Sequence, residues 1–331
     1  MLKFYGGAMV AAVLAVIVGY MIGGLPGAWI VLVLAALETS LSFDNAVINA
    51  SILQNWGATW RGYFVRFGMP VAVFGMRFAF PLAIVAIAAG LGPIETIKLA
   101  AQSPAKYAEI LSSVHLEIAA FGGAFLMMLF LKYFMDEEKD VHWIKLIELP
   151  LSNVGRFEVI VVLLSLALAG HFVAAGEQLS FLMAGVWGLV TYLSVDVIKG
   201  WVGGDETTSR IIKEGIVGLL YLELIDASCS FDGVIGAFSL TTNIFMIMLG
   251  LGVGAFFVRS MTLHLVEAGT LAEYRYLEHG AFWSIGALAT TMLVSVVYEV
   301  PDVVTGFIGI GLLGLALWSS IRANQAEASA N

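Results

Sequence analysis

The sequence predicts an all-α polytopic membrane protein of about ten transmembrane helices, built as two inverted three-helix repeats with accessory helices. Three observations carry that expectation. Of 331 residues, 60% are hydrophobic and only 12% charged, with a mean hydropathy of +0.93, whereas soluble domains carry about 25% charged residues. Apolar runs of about 20 residues, the length that crosses a bilayer, recur along the chain. One acid-and-serine segment also occurs twice inside those runs, 188 positions apart.

The candidate spans cover about 8–24, 28–53, 63–90, 112–134, 157–175, 180–198, 211–238, 243–266, 279–297 and 303–320. Together they make residues 1–331 a single transmembrane domain. Pro70 and Pro81 interrupt the third run, which reads as a broken helix; such breaks are tolerated where neighbours satisfy the freed backbone groups. The 36 glycines suit close helix packing in lipid. Lys3 followed by an apolar stretch without a small-residue cleavage site reads as a retained first span.

Basic residues set the orientation. With the N-terminus on one side and strict alternation, that side receives Lys3, Arg61, Arg66, Lys132, Lys139, Lys145, Arg156, Lys199, Arg210, Lys213, Arg275 and Arg322. The other side receives only Lys98 and Lys106. This positive-inside bias places both termini in the cytoplasm and the protein in the inner (plasma) membrane. The charge run Asp136-Glu137-Glu138-Lys139-Asp140 then lies on an inside connector. A lone cysteine, Cys229, excludes an intrachain disulfide. Nothing resembles a basic nucleic-acid patch.

The duplicated segment carries the chemistry. Its first copy runs Glu38-Thr39-Ser40-Leu41-Ser42-Phe43-Asp44-Asn45, its second Asp226-Ala227-Ser228-Cys229-Ser230-Phe231-Asp232-Gly233. A carboxylate at membrane depth costs roughly 2.5–3.5 kcal/mol on insertion scales and therefore points to function. Five crossings separate the copies, so they enter the membrane in opposite senses, as in transporters with a midplane site between inverted repeats. The first repeat covers about 28–134 and the second about 211–297, with accessory helices at about 8–24, 157–198 and 303–320. Each half also offers an arginine, Arg77 or Arg259, and a helix opening with His and Glu: His115 and Glu117, or Glu278 and His279.

Carboxylates, hydroxyls and amide oxygens are hard donors suited to Mg²⁺, Ca²⁺ or Mn²⁺, and a histidine shifts the preference toward Mn²⁺. The candidate ligands are Glu38, Asp44, Asn45, Asp226 and Asp232, with Ser40, Ser228, Glu117, His115, Asn243, Glu278 and His279 as weaker members. Asp44 and Asp232 have a second reading, as ion-pair partners of Arg77 or Arg259. Glu223, one turn before Asp226, extends the acidic face. Residues six apart differ by about 240° around a helix, so Glu38 and Asp44 converge only if the helix is unwound near its serines. Otherwise one acid per copy meets the ion.

Glu38-x5-Asp44-Asn45, Asp226-x5-Asp232 and Thr242-Asn243-Ile244-Phe245 with Leu249-Gly250-Leu251 resemble the TerC family of integral membrane proteins over about 30–300. The likeness is closest to its branch known only as a domain of unknown function. Gly233 stands where that family commonly has a serine, and the Asn-Ile-Phe segment has one extra residue before Leu-Gly-Leu. The resemblance implies divalent-metal export, chiefly of manganese, and a link to tellurite and metal-stress resistance. It also implies that the acidic motifs of two inverted three-helix halves meet at the centre.

The expected function is therefore secondary transport of a divalent cation as substrate, Mn²⁺ favoured and Ca²⁺ the alternative, with the bilayer as the other partner and no cofactor. A membrane scaffold for a metal-stress complex is the rival. No Gly-x4-Gly-Lys-Ser/Thr loop, His-Glu-x-x-His or Gly-x-Ser-x-Gly motif occurs, so neither nucleotide-driven transport nor an enzyme is expected.

Overall fold

The computed structural model describes residues 2–68, 70–137, 139–154, 157–201, 215–238, 240–298 and 300–330. Arg156, Arg210 and Lys213, the side chains of Lys199 and Asp232, and the start of the 211–238 span lie outside the described residues. What is described is helical throughout, with no strand. Six helices among these residues are long and apolar enough to cross a membrane, or seven if the bent pair Lys145–Asn153 and Glu158–Phe172 forms one span. The protein is thus a polytopic, all-helical membrane protein in its composition and architecture.

The first helix, α1 (Leu2–Leu41), leaves helical geometry at Gly23 and Gly24. Gly24 has φ 63°, a left-handed conformation open to glycine without steric cost. Pro26 follows at the start of the second arm, where its missing N–H matters least. The two arms fold back on each other, for Gly19 packs against Gly27 and Val31. Both arms line α12 (introduced below), from the Lys3–Glu267 ion pair at 2.6 Å to the contact of Met246 with Gly23 and Gly27. The turn therefore divides α1 where the sequence separates its first two apolar runs.

After α1 come α2 (Phe43–Leu53) and α3 (Ala58–Tyr63). The chain then continues through two π-helical stretches, Phe64–Gly68 and Val71–Ala79, into α4 (Phe80–Ala89). Pro81 has no N–H to return to the preceding turn, which fits a loosened helix immediately before it. Two short helices follow, α5 (Pro93–Gln102) and α6 (Pro104–Ser113), then α7 (His115–Phe134), α8 (Lys145–Val154), α9 (Glu158–Phe172) and α10 (Gln178–Trp201). The last third contains α11 (Ile216–Ala237), α12 (Ile244–Ala268), α13 (Thr270–Glu273), α14 (Leu277–Val294) and α15 (Asp302–Ala330).

Small residues set the packing at the centre. The second arm of α1 runs parallel to α12, with Leu34 against Gly250 and Glu38 against Gly254. The π-helical stretch runs antiparallel to α12, since Arg259 reaches the carbonyl of Gly68 and Val73 packs on Gly252. Likewise α7 crosses α14 antiparallel, with Gly122 on Met292 and Phe130 on Gly286. The main hydrophobic core lies around α7 and α14 and includes Phe125, Phe134 and Ile285.

Candidate functional site

The two acidic segments meet inside this bundle. The first lies where α1 gives way to α2, and the helix is interrupted at Ser42 (φ −97°, ψ 21°). The Ser42 hydroxyl donates to Glu38 Oε1 at 3.1 Å. The second segment lies on α11, which runs unbroken. Unwinding near the serines therefore describes the first copy alone.

The copies cross antiparallel. Asn45 Nδ2 donates to Asp226 Oδ1 at 2.5 Å, and a Cβ placed on Gly233 would lie 3.3 Å from Glu38 Oε2. The 188-residue offset turns Glu38 into Asp226 and Asn45 into Gly233. These two contacts are thus one contact read from either copy.

Two arginines neutralise part of the acid. Arg77, on the second π-helical stretch, is 1% exposed. Its guanidinium donates to Glu38 Oε1 and, at 3.3 Å, to Asp226 Oδ2, one carboxylate from each copy. Arg259 on α12 donates to Glu223 Oε1 at 2.5 Å and sits 4.2 Å from the centre of the Phe64 ring. The sequence offered Asp44 or Asp232 as arginine partners; among the described residues Arg77 takes Glu38 and Asp226 rather than Asp44, and the Asp232 part of that expectation lies outside the described residues. The reason is angular: Asp44 lies beyond the break at Ser42 and faces another way. Asp44 Oδ1 accepts the Asn45 N–H at 2.8 Å, and its other oxygen approaches Gly309 on α15.

Asp44 faces a cavity of about 710 Å³ that Glu38 and Ser42 also line. Its wall includes Cys229 and Ser284, and its rim His115 and Pro301. These two come from the start of α7 and the segment preceding α15, so the cavity extends from that end of the bundle to Asp44. With these groups ionised, Glu38, Asp44, Glu223 and Asp226 outweigh Arg77 and Arg259 by two negative charges. Among the described residues no group of three or more His, Cys, Asp or Glu converges in a geometry ready for a metal ion. Asp232, a principal candidate, is outside that set.

The weaker candidates disperse. Ser40 is exposed and bonds the carbonyl of Ala36. Ser228 is buried, with its carbonyl toward Gly122. Asn243 caps α12, accepting the N–H groups of Phe245 and Met246 at 3.0 and 3.3 Å. Glu117 has one buried carboxylate oxygen with no hydrogen-bond partner among the described residues.

Glu278 and His279 sit at the opposite end of the bundle from the cavity rim. There the fully buried Glu148 accepts the N–H groups of Trp143 and Ile144 at 2.8 and 3.2 Å and Trp283 Nε1–H at 3.0 Å. His279 Nε2 lies 2.8 Å from the Val141 carbonyl and 3.6 Å from Glu148. Lys139 lies 3.6 Å from the centre of the Tyr133 ring, and burial pushes its amine from 10.5 to about 8 against the pull of Glu148, Glu278 and Asp136. Sequence reasoning passed over Glu148, which stands in a polar connector with no motif to mark it.

No curated protein and no solved structure matches the chain. One family does, over residues 43–327, from just after Glu38 to the end of the bundle. Its span takes in Asp44, Asn45, Arg77, the whole second acidic segment and Glu148. The chain therefore belongs to the family described as Protein of unknown function (DUF475).

Proposed function

We propose that this protein is a secondary transporter that exports a divalent cation, Mn²⁺ in first place and Ca²⁺ in second, by alternating access between two inverted three-helix repeats. The observation that carries this reading is the reciprocal crossing of the acidic segments, Asn45 on Asp226 and Glu38 on Gly233. A local two-fold relation of that kind is what an inverted repeat generates at its midplane site. The antiparallel and parallel senses of the packed helices support alternating crossings, with the two arms of α1 taken as separate passes. The resemblance to the TerC family adds manganese as the preferred ion.

In this reading the Arg77 guanidinium serves as an internal counter-cation between Glu38 and Asp226. Buried charge of one sign is unfavourable without compensation, and the excess acid, two charges among the described groups and three with Asp232, suits a divalent cation. An incoming ion competes with Arg77 for the two carboxylates and recruits Asp44 and the unpartnered Oδ1 of Asn45. Asp232 enters the same site by its place in the second copy. Rocking of one half against the other then alternates access, driven by the ion gradient, the membrane potential or proton exchange. The scaffold alternative needs a free docking surface on the inside connector, whereas Val141 and Glu148 of that connector engage the bundle.

The test is expression in a bacterium lacking manganese export, with intracellular metals measured by mass spectrometry. The wild type is expected to lower manganese, and Asp44→Asn and Asp232→Asn to abolish the effect. Unchanged manganese and calcium in cells expressing the wild type would sink the transport reading. An effect that survives both substitutions would sink the site.

A further inference from the structure

The cavity stops near Asp44, yet polar groups continue beyond it. Asp44 and Ser51 stand seven residues apart on α2, on nearly the same helical face and about 10 Å along the axis. Asn49, between them, is completely buried, and neither its amide oxygen nor its nitrogen has a partner among the described residues. The Ser51 hydroxyl donates to the Ile48 carbonyl at 2.9 Å, and α2 packs against α14, which carries Glu278. Apolar packing alone does not call for Asp44 and Ser51 along one line of α2 with an unpartnered amide on another face.

That line ends under the connector. Lys139 covers Tyr133 and Phe134, Val141 holds His279, and Glu148 holds Trp283. Glu148 is the only one of these connector groups to accept three hydrogen bonds, two from its own segment and one from α14. It thus ties the segment's fold to its docking. On the same short helix Leu146 is 87% exposed, so α8 presents its carboxylate inward and its leucine away from the bundle.

We propose that residues 139–148 form a plug that closes the end of the bundle opposite the cavity, with the Glu148–Trp283 hydrogen bond as its latch. The cavity reaches His115 and Pro301, whereas Ser51 and Glu148 at the other end are buried. Release of the latch opens the second access route that alternation requires. The inference rests on the transport reading for its purpose, and on the connector's contacts for its existence. In the orientation set by the basic residues, the plug is cytoplasmic and this conformation faces outward.

The test uses the full-length protein in vesicles. Cys229 is the only native cysteine, so Ser51→Cys in a Cys229→Ser background gives a single reporter beneath the plug. A membrane-impermeant maleimide is applied from the connector side. Labelling is expected to be slow with the latch intact and to rise about tenfold or more with Trp283→Phe, which removes one charge-assisted hydrogen bond while keeping a ring between Phe130 and Phe134. Glu148→Gln is expected to act in the same direction, and size-exclusion profiles confirm that each variant stays folded. Fast labelling with the latch intact, or no increase in a folded Trp283→Phe protein, would overturn the plug. Manganese flux in the same vesicles separates the two claims. A labelling change without flux in any variant leaves the plug and removes the transport reading. Flux with unchanged labelling removes the plug alone.

Discussion

Arg77 and Arg259 are almost equally buried, at 1% and 2% exposure, yet they sit in different electrostatic company. Arg77 bridges two carboxylates that belong to different copies of the acidic segment. Among the described residues Arg259 pairs with one carboxylate, Glu223, and is flanked by the Phe64 ring and the Gly68 carbonyl. One guanidinium therefore joins the two copies of the acidic segment across an excess of negative charge, whereas the other closes a neutral pair beside it. Burial alone does not separate a structural arginine from one placed at a site. The number and origin of its acidic partners does.

The strongest way to break that distinction is to remove each arginine. Deleting one partner of a buried pair costs about 3–5 kcal/mol, because the other charge stays buried without compensation. Arg77→Ala is expected at the upper end, since it strands Glu38 and Asp226 together. Arg259→Ala is expected at the lower end, since it strands Glu223 alone. Chemical unfolding in detergent micelles measures both, and equal losses would erase the difference.

Coupling sharpens the comparison at a smaller scale. Groups within one network show interaction energies of about 0.5–3 kcal/mol, and separated groups add. A double-mutant cycle of Glu38→Gln with Asp226→Asn is expected to be strongly non-additive, because both act on Arg77. A cycle of Asp226→Asn with Arg259→Gln is expected to be closer to additive. The reverse ranking would mean that the two pairs form one undivided network.

A steric change reaches the Arg77 pair without altering charge. Gly254 lies against Cβ and Cγ of Glu38, so Gly254→Ala drives an added methyl into them. Overpacking of that kind costs about 1–3 kcal/mol. Gly254→Ala is expected to weaken the hold of Glu38 on Arg77 while leaving the Arg259–Glu223 pair unchanged. Unfolding of the Gly254→Ala protein with and without Arg77→Ala checks it: the alanine should matter less once Arg77 is gone.

Much of this site was legible in the sequence, for reasons specific to membranes. A carboxylate in an apolar run is conspicuous, so Glu38, Asp44 and Asp226 stood out at once, and the register of the two copies set Glu38 and Asp226 at corresponding positions, where Arg77 bridges them. The turn at Gly23–Gly24 was legible as a gap between apolar runs. Partner choice was not. Arg77 ends on Glu38 and Asp226 because Ser42 breaks the helix in one copy while α11 stays continuous, and the two serine patterns look alike on paper. Glu148 was invisible for the opposite reason: a carboxylate in a charged connector looks solvated until the fold buries it against Trp283.

Lys139 supplies a third kind of buried cation. Unlike the arginines, its amine has no hydrogen-bond partner among the described residues; it rests over the rings of Tyr133 and Phe134. Desolvation outweighs the attraction of Glu148, Glu278 and Asp136, so its pKa falls from 10.5 to about 8. Between those two values the unfolded chain binds more protons at this site than the folded one, so stability rises with pH across that interval. The contribution is complete above pH 10.5 and lost as pH falls through about 8. Lys139→Met keeps the packing and removes the titration, so it should flatten the rise in unfolding free energy over that window. An unchanged slope in the Lys139→Met protein would show that the ring-stacked amine is better solvated than its contacts imply. It would then belong with the exposed lysines rather than beside the two buried guanidiniums.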